Sequence, residues 1–155
     1  MTPDTKTVDA LREALEDEYR ARATYGKVIE AFGRVRPFVN IVEAEDRHAK
    51  ALLALFTRFG IEPPRDTWPE RVTAPASLAE ACRAGVEAEI ENQAMYERLL
   101  KEIQEPQARR VMQRLQRASL ERHLPAFQRC LEHEPNGRGH RAGQPRRMRT
   151  RRRES

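Results

Sequence analysis

Glu45 and His48 stand three residues apart in the middle of a long helical pattern, and positions i and i+3 share one face of a helix. Phe38, Ile41, Val42, Leu52, Leu55, Phe56 and Phe59 recur around them at steps of three and four. The pair therefore falls in a gap at the centre of an apolar stripe and points inward. Burying an ionised carboxylate costs several kcal/mol unless it is paired or bound to a metal. Other residues interrupt apolar stripes in the same way: Glu18 between Leu15 and Tyr25, Glu89 between Val86 and Tyr96, and His123 between Leu115 and Phe127. Three carboxylates and two imidazoles without a thiolate suit Fe, Mn or Zn, and a redox role needs Fe or Mn. Without a cation or bound protons the carboxylates would repel one another. The metal-free alternative is that His48 and His123 are protonated and neutralise two of the glutamates.

The elements that must position these residues are helical. Strand signals are nearly absent and the periodic segments are long, so the expected class is all-α. Helix A is expected from about residue 6 to 32, closed by Gly33, and helix B from Pro37 to about Gly60. Their short connection makes them antiparallel neighbours. Residues 61–75 hold four prolines and form a connector. Fifteen extended residues reach up to roughly 50 Å, more than the roughly 36 Å of a 24-residue helix, so the connector is long enough to run the length of a bundle. Trp68 is expected to pin it to the surface. Ser77 and Glu80 form a capping box that starts helix C, which ends near residue 104. Pro106 opens helix D, which ends near residue 133. Pro125 is expected to kink helix D, because proline has no N–H for the carbonyl of Glu121.

The two halves repeat. Glu18 is followed seven residues later by Tyr25, and Glu89 seven residues later by Tyr96; a proline then opens the next helix (Pro37, Pro106), which carries a histidine (His48, His123). This constellation resembles the ferritin-like superfamily of di-metal carboxylate four-helix bundles, in which two helices each supply a Glu and two supply Glu-x-x-His. The resemblance covers roughly residues 8–133. Ala118–Phe127 (ASLERHLPAF) further resembles the fourth-helix signature of a stand-alone bacterial subgroup of that superfamily whose function is not established. The resemblance implies an up-down four-helix bundle with a long Pro-rich B–C connection. It also implies a metal site built from Glu18, Glu45, His48, Glu89 and His123. The chain departs from the pattern at Leu120, where a carboxylate is expected three residues before His123. Five ligands remain of six, which favours one ion over two. Glu121 lies about 200° round an α-helix from His123, whereas Ser119 shares the histidine's face and could hold a water ligand. Tyr25 and Tyr96 are either donors to ligating carboxylates or core residues with satisfied hydroxyls.

The implied activity is iron- or manganese-dependent oxidation or peroxide reduction, with dioxygen or peroxide as co-substrate. The alternatives are a metal-free helical interaction module, and a nucleic-acid-binding protein that uses its tail with the bundle as an oligomerising body. The charge supports a division at residue 135. The chain has a formal net charge of +5, yet residues 136–155 hold eight arginines and one glutamate, a net of +7. The bundle at residues 1–135 is therefore near neutral, and the tail is expected to be disordered. Such a tail is either a solubilising terminus or a salt-sensitive phosphate binder. Cys82 and Cys130 fall on apolar stripes and are expected as buried thiols. No apolar run is long enough for a membrane span and no signal-peptide pattern begins the sequence, so the expected location is cytoplasmic. No nucleophile arrangement, phosphate loop or zinc-ribbon spacing supports a hydrolase or nucleotide-binding reading.

Overall fold

A computed structural model describes residues 2–134. They are all-helical, with no strand. Three helices, α1 (Thr5–Phe32), α2 (Phe38–Phe59) and α3 (Leu78–Glu102), pack with a fourth rod. That rod joins α4 (Pro106–Ala118), a π-helical turn at Ser119–His123 and α5 (Leu124–His133). The arginine-rich tail, with the disorder and nucleic-acid binding expected of it, lies outside the described residues. Among the described residues no helix is long and apolar enough to cross a membrane.

Local chemistry sets the helix ends. The Asp4 carboxylate accepts from the Thr7 amide at 2.8 Å to start α1, and the Ser77 hydroxyl accepts from the Glu80 amide at 3.1 Å to start α3. Glu105 caps α4 by accepting from the Ala108 amide at 2.6 Å. Gly60 closes α2 at φ 64, a left-handed conformation that costs glycine little.

Two apolar clusters divide the interior. One joins Leu11 and Leu15 of α1, Leu52 and Phe56 of α2, Leu99 of α3 and Met112 of α4. The other joins Tyr25 and Val28 of α1, Phe38 and Ile41 of α2, Leu78 and Cys82 of α3, and Phe127 of α5. Each rod runs from one cluster to the other, so the four directions are up, down, down, up rather than the alternating up-down order expected. The parallel pair α2 and α3 requires the 60–77 connection to travel the length of the bundle. It is fastened to α1 on the way. Trp68, in a 3-10 turn at Trp68–Glu70, donates from its indole N–H to Glu16, and Arg22 bridges Asp66 at 2.9 Å and Asp46 of α2 at 2.8 Å.

Cys82 and Cys130 are not the buried thiols expected. They form a disulfide between α3 and α5, with Cα atoms 5.7 Å apart and a separation of 48 positions in sequence. Each lies on the stripe that its helix turns toward the other, which brings the Cα atoms within the roughly 4.4–6.8 Å that a disulfide spans. The same helices approach closely at Gly85, where an added Cβ would sit 2.5 Å from the Phe127 ring.

Candidate metal centre

Between the two apolar clusters lies a polar layer. Glu18, Glu45, Glu89 and His123 are buried there, and the His48 side chain is 13% exposed. All five residues expected at the site converge. Glu18, Glu45 and His48 form one group whose ligand atoms all lie within 4.8 Å of one another, and Glu45, Glu89 and His123 form a second. Glu45 belongs to both. Nδ1 of His48 is 3.4 Å from Glu18 and 3.5 Å from Glu45. Nδ1 of His123 is 3.1 Å from the other oxygen of Glu45 and 3.4 Å from Glu89. The two imidazoles stack at 5.4 Å, with 18° between their planes.

Both tyrosines donate to carboxylates, each to the glutamate of the other hairpin. Tyr96 bonds Glu18 at 2.6 Å and Tyr25 bonds Glu89 at 3.2 Å.

The fourth rod departs from the expected register. Pro125 has no N–H to return to the Glu121 carbonyl, and the preceding residues form a π turn in which the Leu124 amide donates to the Ser119 carbonyl. The wider turn keeps Ser119 and His123 both buried and turns Leu120 outward, at 52% exposed. A carboxylate at position 120 would therefore face solvent. The inward place belongs to Ser119, whose hydroxyl donates directly to Glu89. Glu121 is exposed as well.

The electrostatics of the metal-free layer follow from this crowding. Glu18 is pushed up to about 8, first by burial and then by the neighbouring Glu45. Burial also works against the charge on Glu45, but its neighbours Glu18, His123 and His48 favour that charge and hold its pKa below the usual value. Burial opposes the histidine charges too, yet Glu18 and Glu45 raise His48 to about 9, and Glu45 and Glu89 raise His123 to about 10. Tyr25 and Tyr96 are raised well above the ordinary phenol range, chiefly by burial.

The donor set fits a metal ion. Glu18 Oε2 and His123 Nδ1 are buried without a hydrogen-bond partner. The short distances from His123 to Glu45 and Glu89 thus place charges side by side without aligning a donor on an acceptor. Unpartnered buried donors and acceptors are rare in folded proteins, and hard oxygens beside imidazole nitrogens are the ligands that Fe, Mn and Zn take.

No protein-family model and no curated protein matches the sequence. Solved structures do match the fold. The chain is similar to a hypothetical protein, MJ0754, from Methanococcus jannaschii, with a TM-score of 0.74 and 22% identity over 82% of this chain and 80% of that one. It is also similar to a conserved hypothetical protein, rv2844, from Mycobacterium tuberculosis, with a TM-score of 0.67 and 16% identity over 83% of this chain and 92% of that one. Identities this low speak to the fold alone.

Sequence reasoning passed over Asp17 and Asn92. The Asn92 amide donates to Asp17 at 2.7 Å, and burial pushes Asp17 up to about 6. Both line a small opening of about 30 Å3 that reaches Glu45 and Glu89 from the side of α1 and α3. A signal existed for Asn92, which stands three residues after Glu89 on the same face of α3.

Proposed function

We propose that the protein is a ferritin-like metal-binding protein in which Glu18, Glu45, His48, Glu89 and His123 hold one or two iron or manganese ions and support oxidase- or peroxidase-type chemistry. The observation that carries this reading is the place of Glu45, whose two oxygens face different histidines in two adjoining ligand groups. A bound redox ion supplies electron exchange with dioxygen or peroxide. The chain's own residues supply the rest. Tyr96 and Tyr25 orient Glu18 and Glu89, Ser119 restrains the second oxygen of Glu89, and the apolar clusters on either side exclude bulk water.

Elemental analysis of protein purified without chelator tests the reading, repeated on Glu45→Ala, which breaks both ligand groups. Near-stoichiometric iron or manganese that the variant loses is the expected result. No metal even after anaerobic Fe(II) loading would overturn it. That outcome would favour a second reading, a metal-free helical module. The raised pKa values of His48 and His123 support this alternative, since they let two imidazolium ions neutralise the carboxylates.

A further inference from the structure

α2 and α4 meet sparsely, and a groove of about 630 Å3 opens between α2 and the fourth rod. His48 and His123 both line it. Its bed is apolar: Ile41 and Leu115 are buried, with Ala44, Ala51 and Ala118 half-buried beside them. The small alanine side chains leave the gap open. Four arginines line the same groove, Arg47 from α2, Arg114 and Arg117 from α4, and Arg122 from the π turn, against one carboxylate, Glu121. All four are exposed, and none forms a salt bridge among the described residues, although Arg22 and Arg98 elsewhere on the surface do. A second groove of about 620 Å3 continues along α2 and α4, sharing Ala51 and Arg114 and adding Arg58 and Arg110.

We propose that this groove is a binding site for a small organic anion, a carboxylate or phosphate monoester with an apolar body, placed beside His48 and His123. Guanidinium groups match carboxylate and phosphate oxygens in a bidentate fork, and the alanine bed accepts hydrocarbon. The size lies within the roughly 300–1,000 Å3 of small-molecule sites. A second copy of the chain is a poor occupant, because a two-fold contact would press one arginine rim against another. A polynucleotide is also disfavoured, since no Phe, Tyr or Trp lines the groove for a base to stack on. That the anion is also the substrate of the metal centre rests on the function proposed above; its binding does not.

Isothermal titration of the full chain tests this, in metal-free and metal-loaded forms, with octanoate, octyl phosphate and the neutral octanol as probes. Saturable binding of an octyl anion is expected, at least about tenfold tighter than octanol and weakened at least about tenfold by the double variant Arg114→Ala, Arg122→Ala. The variant should keep the metal content of the wild type. Octanol bound as tightly as octanoate, or an unchanged affinity in the double variant, overturns the proposal. So does a single-stranded oligonucleotide that binds in an Arg114- and Arg122-dependent way while no octyl anion binds. Anion binding by a protein that takes up no metal would leave the site standing and refute only the redox reading.

Discussion

Tyr96 on α3 donates its hydroxyl to Glu18 on α1, and Tyr25 on α1 donates to Glu89 on α3, so each helical hairpin orients the other's carboxylate. These bonds couple assembly of the bundle to the geometry of the polar layer. Tyr96→Phe leaves a buried carboxyl group without its donor, and the expected loss is about 1–3 kcal/mol in urea unfolding. Chelator competition should show metal affinity falling by about 10–100-fold. Tyr25→Phe, whose bond is longer at 3.2 Å, should cost less. Equal metal affinity in wild type and Tyr96→Phe would remove the tyrosine from any role at the centre.

The shared position of Glu45 separates the three carboxylates by what their loss does. Glu18→Ala leaves Glu45, Glu89 and His123 together, while Glu45→Ala breaks both groups. Metal per chain, measured after loading, should fall by one ion or less in Glu18→Ala and to near zero in Glu45→Ala. A Glu45→Ala protein that retains the wild-type metal content would contradict the bridging arrangement.

The raised pKa values set a pH dependence with a definite sign. His48 and His123 rise from 6.5 to about 9 and about 10, and Glu18 from 4.5 to about 8. Each binds its proton more tightly in the folded chain than in the unfolded one. The resulting stability is fully present below the unfolded values and is lost as pH climbs through the folded ones. The Tm of metal-free protein should therefore fall between pH 6.5 and 9.5. A bound metal needs the ligands deprotonated, so its affinity should rise over the same interval and the gap in Tm between loaded and free protein should widen. A metal-free Tm that rises with pH would exclude protonated histidines in the layer.

The Cys82–Cys130 bond closes a long loop and fixes α5 against α3 beside the π turn. Its reduction, or the Cys130→Ser variant, should lower unfolding stability by roughly 2–4 kcal/mol. Paired melts with and without reductant, with thiol counting by mass spectrometry, read this directly. Identical melts in both conditions would show that the bond adds nothing to the folded state.

Much of this protein is legible from residue order alone. Helix ends follow from Gly33, Ser77 and Gly60, whose caps act within a few residues. Glu18, Glu45, His48, Glu89 and His123 stand out because each breaks an apolar stripe, and a helix's inward face depends only on its own periodicity. What crosses between helices was decided by the tertiary structure. Which glutamate each tyrosine meets, and the joining of Cys82 to Cys130, depend on how the helices rotate and slide against one another. The π turn belongs to the same class. An α-helical register already puts Ser119 on the face of His123, but only the packed fourth rod, freed of one hydrogen bond at Pro125, shows that residue 120 faces water and that Ser119 bonds Glu89 directly.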